Sequence, residues 1–137
     1  MKSDAFQMSG SCAAHVAIIE DDINLRNSIK DFLDTAGISS ELFSSADVFL
    51  LSERYRFVGC ILADVRMPGT SGIEMLGLLK SYPNCPPILI MTSYADKQMQ
   101  ANAFKLGAAG FLPKPIDTHL LLQLIQKVVG RGSDVPV

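Results

Sequence analysis

The chain has 137 residues, 48% of them hydrophobic and 19% charged, which is enough apolar material for one compact domain with its own core. Its 12 Lys and Arg against 14 Asp and Glu give a formal net charge of −2, so no basic face is available for a run of phosphates and direct nucleic-acid binding is not expected. Cys12, Cys60 and Cys85 are odd in number and widely spaced, which predicts reduced thiols in a cytoplasmic protein. No apolar run is long enough to span a bilayer.

Met1 to Ala14 reads as a polar, flexible leader without the apolar stretch of a secretory signal. From residue 15 onward, short apolar runs alternate with longer segments of helical periodicity, the pattern of a parallel α/β sheet. His15 to Ile19 predicts a buried first strand that runs straight into Glu20, Asp21 and Asp22. Leu25, Ile29, Phe32 and Leu33 share one helix face, closed by Gly37 as a left-handed terminal residue. Ser39 to Phe43 predicts an edge strand diluted by Ser39, Ser40 and Glu41. Ser45 caps a helix carrying Val48, Phe49 and Leu51, and Ser52 to Phe57 fits either helix or loop.

Cys60 to Ala63 is the third strand and ends on Asp64. Met67 to Gly72 makes a loop, after which Ile73, Leu76, Leu79 and Lys80 have helical spacing until Pro83, Pro86 and Pro87. Ile88 to Met91 is a fourth strand ending on Thr92, followed by a helix from about Asp96 to Leu106 that Gly107 terminates. Gly110 to Leu112 is a fifth strand, then come Lys114 and Pro115, and a last helix runs from about Thr118 to Val129. The expected boundaries are a leader over 1–14, a domain over 15–129 and a tail or linker over 130–137.

In an open parallel sheet, functional side chains gather at the carboxyl ends of the strands. Those ends carry Glu20 and Asp21, Asp64, Thr92 and Lys114, which converge on one crevice if the strands lie in the order 2-1-3-4-5. Three crowded carboxylates repel one another unless a cation sits among them, and oxygen-only ligands favour Mg²⁺, or Mn²⁺, over zinc. Asp64 is then placed as a nucleophile toward phosphorus, with Lys114 pairing to the transferred oxygens and Thr92 offering a hydroxyl.

Four ordered motifs carry a resemblance: VAIIEDD at 16–22, ILADVRMPGTSGIEML at 61–76, ILIMTSYAD at 88–96 and GFLPKP at 110–115. Together they resemble the response-regulator receiver family over His15 to Val129, most closely the receivers of nitrogen-fixation and nitrate-response regulators. The resemblance implies a doubly wound, flavodoxin-like five-stranded sheet and phosphorylation of Asp64 by a sensor histidine kinase or a phosphotransfer protein. It makes Asp21 a direct Mg²⁺ ligand, with Asp64 and the Arg66 carbonyl, and has Glu20 bind through water. Asp22 falls outside the site. Thr92 and Phe111 match the family's switch pair, although Phe111 lacks the hydroxyl a tyrosine would bring, and Lys114–Pro115 matches a step whose peptide is usually cis. Arg66 and Tyr94 match positions that tune the lifetime of the phosphoryl group. The implied output surface covers 95–106, 110–112 and 118–129, serving an output domain, a docking protein or a dimer formed on phosphorylation.

The plainer readings stand beside these. A lone Asp at a strand end caps turns, a lone Lys is a solvated charge, and a lone Thr bonds backbone; only their joint order favours chemistry. His15 and His119 lack metal-binding neighbours. An aspartate-nucleophile phosphohydrolase would want a second Asp where Arg66 stands, and a flavin carrier would not place EDDINLR against a phosphate. A docking module that is never phosphorylated stays open.

Overall fold

A computed structural model describes residues 15–93 and 97–134. In chain order the elements are β1 (Val16–Ile19), α1 (Ile23–Thr35), β2 (Ser40–Phe43), α2 (Ala46–Ser52), a 3₁₀ turn (Arg54–Phe57), β3 (Cys60–Asp64), α3 (Gly72–Lys80), β4 (Ile88–Thr92), α4 (Lys97–Lys105), β5 (Gly110–Pro113) and α5 (Thr118–Asp134). All strands are parallel in the order β2-β1-β3-β4-β5, the doubly wound, flavodoxin-like arrangement expected from the sequence.

β1, β3 and β4 read as continuous apolar runs because both faces of the sheet are covered, while β2 lies at the edge and is half polar. Successive side chains alternate between two cores. Ala17, Ile19, Ile61, Ala63, Ile88, Ile90 and Phe111 pack with Phe49 of α2, Met75, Leu76 and Leu79 of α3 and Ala103 of α4. Val16, Ile18, Cys60, Leu62, Leu89, Met91 and Leu112 pack with Ile29 and Leu33 of α1 and Leu121 and Ile125 of α5. Cys60 lies inside the second core, where burial pushes its thiol up to about 12, in keeping with a packing role.

Local chemistry sets the boundaries. Gly37 (φ +78°) follows α1 and Gly107 (φ +105°) follows α4, both in the left-handed region where a side chain is strained. The ambiguous segment after α2 is a break: Glu53 turns left-handed at φ 57° and ends the α-helix, and the chain resumes as the 3₁₀ turn. One boundary differs from expectation. α5 continues to Asp134, past Val129 where glycines were read as the start of a tail. Gly130 and Gly132 each weaken a helix by about 1 kcal/mol, but no competing turn or proline intervenes before Pro136, so they do not stop it. Among the described residues, no helix is long and apolar enough to cross a membrane.

Candidate functional site

Strand alternation decides which ends meet. Glu20 continues the parity of Val16 and Ile18, Asp64 that of Cys60 and Leu62, and Lys114 that of Gly110 and Leu112, so all three belong to the side of the sheet covered by α1 and α5. Thr92 and Phe111 have the other parity, shared with Ile88 and Ile90. After β1 the chain turns sharply because Asp22 caps α1, its Oδ1 accepting the amides of Asn24 (2.9 Å) and Leu25 (3.2 Å). The Asp22 amide in turn donates to Glu20 Oε2 at 3.1 Å, and Arg26 Nη1 donates to the Glu20 carbonyl at 2.8 Å. The Lys114–Pro115 peptide is cis, as the motif implied.

Lys114 Nζ lies 2.9 Å from Glu20 Oε1 and 3.0 Å from Asp64 Oδ2, joining groups 94 and 50 residues apart in sequence. Glu20 (1% exposed) and Asp64 (5%) are buried, whereas Asp21 is exposed at the rim. One carboxylate oxygen from each of Glu20, Asp21 and Asp64 fits within 4.8 Å of the others. One ammonium thus lies between two buried carboxylates, with a third acid beside them. Burial, with the charge of Asp64, pushes Glu20 up to about 7 against the hydrogen bonds from Lys114 and the Asp22 amide. Burial pulls Lys114 down, but its hydrogen bonds to Glu20 and Asp64 and their charges outweigh that, so the ammonium titrates above its usual range. A site that holds protons on a carboxylate near neutrality is short of positive charge, and its all-oxygen donor set suits a hard divalent cation such as Mg²⁺.

Of the other expected residues, Arg66 and Thr92 meet this cluster through their backbones. The Arg66 amide points to Asp64 Oδ1 at 3.4 Å, while its side chain is exposed. Thr92 is 1% exposed at the end of β4, and its carbonyl accepts the Lys114 amide at 2.8 Å. Phe111 is buried and tilted against the half-exposed Phe104, with ring centroids 6.5 Å apart. Tyr94 lies outside the described residues.

Three further contributors were not singled out from the sequence. Ser71 and Glu74 form a reciprocal cap at the start of α3, a signal legible as Ser-x-x-Glu ahead of an apolar run. Gly72 backs so closely on β3 that a Cβ there would lie 2.2 Å from the Asp64 carbonyl oxygen. Asp47, in the first turn of α2, accepts the Thr70 hydroxyl at 2.5 Å and the Thr70 amide at 3.3 Å. That contact spans 23 residues and leaves no local pattern. His15, which had no assigned role, bonds Ser39 Oγ (2.6 Å) and Glu41 Oε2 (2.7 Å) at the opposite end of the sheet.

Comparison with known proteins bears directly on this arrangement. The family described as the response regulator receiver domain matches residues 16–126. The chain belongs to that family. The receiver is 40% identical over 119 residues to the transcriptional regulatory protein FixJ of Bradyrhizobium diazoefficiens, covering 87% of this chain and 58% of that protein. It is 34% identical over 131 residues to the response regulator FleR of Pseudomonas aeruginosa, covering 91% of this chain and 28% of that one. Among solved structures, the response regulator StyR superposes with a TM-score of 0.79 at 34% identity, over 89% of this receiver and 62% of that chain. The FixJ-N crystal structure superposes at 0.76 with 29% identity, over 85% and 93%. The receiver spans little more than half the length of the FixJ relatives it matches.

Proposed function

We propose that this receiver is a Mg²⁺-dependent phospho-acceptor switch whose nucleophile is Asp64. The observation that carries the proposal is the single ammonium of Lys114 held between two buried carboxylates, with a third acid at the rim. Asp21, Asp64 and the Arg66 carbonyl would hold the metal, Glu20 acting through water, and Mn²⁺ could substitute. When bound, the ion neutralises charge between the acceptor carboxylate and an incoming phosphoryl group.

The chain's own residues divide the work. An Asp64 carboxylate oxygen attacks the phosphorus of a phosphohistidine on a sensor kinase or phosphotransfer protein. The phosphorus–nitrogen bond breaks, and the imidazole leaves with the bonding pair and is reprotonated from water. Lys114, already on Asp64 Oδ2, exchanges that contact for a phosphoryl oxygen. Thr92 then moves toward the new group, and Phe111, on the same parity, follows. The shift is as large as the difference in contacts that the phosphoryl group makes in the two arrangements. Arg66 and Tyr94 restrict the hydrolytic water. The acyl phosphate is hydrolysed slowly by the receiver itself, so the chain catalyses its own modification and is not a metabolic enzyme.

The surface around α4, β5 and α5 is the expected readout, toward an output domain, a docking protein or a second copy. Relatives are named transcriptional regulators, yet a net charge of −2 gives this chain little to offer DNA directly. An output that reaches DNA would run through another protein or another part of a longer chain. A cytoplasmic location belongs to the same proposal.

Intact-protein mass after incubation with acetyl phosphate tests the core of this reading. The expected result is a gain of one phosphoryl group with Mg²⁺, lost in EDTA and lost in Asp64→Asn. No gain in any condition would leave a docking module that is never phosphorylated, and turnover of donor without accumulation would point to a phosphohydrolase.

A further inference from the structure

The segment from Val65 to Ser71 links the acceptor strand to α3 and carries Arg66, whose carbonyl the proposed site uses. Its two ends are fixed by backbone: the Val65 amide donates to Met91 O at 2.9 Å, and the Gly72 amide donates to Val65 O at 3.0 Å. Its tip is fixed from a different part of the fold. Asp47 Oδ1 accepts the Thr70 hydroxyl at 2.5 Å, Oδ2 accepts the Thr70 amide at 3.3 Å, and Gly69 (φ +80°) packs so that a Cβ there would lie 2.2 Å from the same Oδ2. Glycine at 69 therefore meets two needs, a left-handed backbone and room for the Asp47 carboxylate. The hydroxyl bond is short and charge-assisted, the kind that fixes geometry well.

We propose that Asp47 and Thr70 form a clamp from α2 that positions the 65–71 segment, and with it Arg66, for cation binding at the Asp64 site. This deepens the function proposed above and rests on it. Both partners are outside the acidic cluster: Asp47 is exposed and Thr70 half-buried, and neither is a ligand. The clamp is solvated, so losing it should cost the fold little. Groups that orient a metal site from outside nevertheless set its affinity strongly, because the ligands must be held before the ion arrives.

The experiment is calorimetric titration of the full chain with Mg²⁺ alone, alongside thermal unfolding in EDTA, for wild type, Asp47→Ala, Thr70→Val, Thr70→Ser, the Asp47→Ala/Thr70→Val double variant and Asp64→Asn. The expected result is roughly tenfold weaker Mg²⁺ binding in Asp47→Ala and in Thr70→Val. Thr70→Ser, which keeps the hydroxyl, should stay near wild type, and the double variant should bind no more weakly than either single one, as partners in one contact require. Unchanged affinity in both single variants, with binding still lost in Asp64→Asn, would overturn the clamp and leave the acceptor reading standing. Additive losses in the double variant would also overturn it. Wild type that binds no Mg²⁺ would overturn both.

Discussion

Glu20 sits under two demands, being almost wholly buried at a strand end and facing another buried acid across a shared lysine. Its folded value of about 7 lies above the ordinary 4.5, so an unfolded chain gives up this proton more easily than the folded one. In EDTA, stability from this group is therefore complete below about pH 4.5 and is lost as pH rises toward 7, by up to about 3 kcal/mol. Urea unfolding at pH 5 and pH 7.5 should register that loss in wild type and little of it in Glu20→Gln, and equal slopes in the two proteins would remove the assignment. The same proton must leave when a cation binds, so Mg²⁺ titrations near pH 7 in buffers of different ionisation heat should report net proton release. The meeting of Glu20, Asp64 and Lys114 was legible because each follows or ends an apolar strand, and the strand order brings those carboxyl ends together. The roles of three consecutive acids were harder to separate, because composition gives Asp21 and Asp22 the same chemistry. Only the path of the backbone turns Asp22 onto the amides of Asn24 and Leu25.

At the scale of elements, α3 illustrates how differently two glycines on one helix behave. Gly72 begins it pressed against the Asp64 carbonyl, while Gly77 lies exposed with nothing within 4 Å of a would-be Cβ. Gly72→Ala should destabilise the fold by about 2 kcal/mol or more, since the obstructing atom is backbone and cannot swing aside. Gly77→Ala should stabilise it by about 0.5 to 1 kcal/mol through helix propensity alone. Chemical denaturation of the two variants makes the comparison, and equal effects would contradict the close approach. Among the described residues the five strands and five α-helices were legible in the sequence, since β1, β3, β4 and β5 are runs of apolar residues between turn signals and β2 is a diluted edge strand. The failures came where a local signal met no competitor: the glycines after Val129 do not end α5, and the stop after Ser52 depends on Glu53 taking a left-handed conformation that nothing in its side chain announces.

Across the whole molecule, the two ends of the sheet carry opposite responses to pH. At the amino end, hydrogen bonds from Arg54 first, and then from His15, hold Glu41 below its ordinary range against a raising effect of burial. A depressed acid contributes stability that is present above its unfolded value and is lost as pH falls through its folded one. Glu41→Gln should therefore flatten the acid limb of a stability profile, and Mg²⁺ should lift the neutral limb without moving the acid one. Melting temperatures across pH 3 to 8 would detect this, and an acid limb left unchanged by Glu41→Gln would remove the assignment. The site at the carboxyl end has a further property that belongs to how the chain is made. Glu20, Asp21 and Asp64 come from the first and third strands, but Lys114 follows the fifth, 94 residues after Glu20. Synthesis delivers the amino terminus first, at about 5 to 20 residues per second, so a growing polypeptide carries the three acids of the site for several seconds before their lysine exists. Under the proposed function, an unfinished chain on the ribosome cannot answer a signal, however active its kinase.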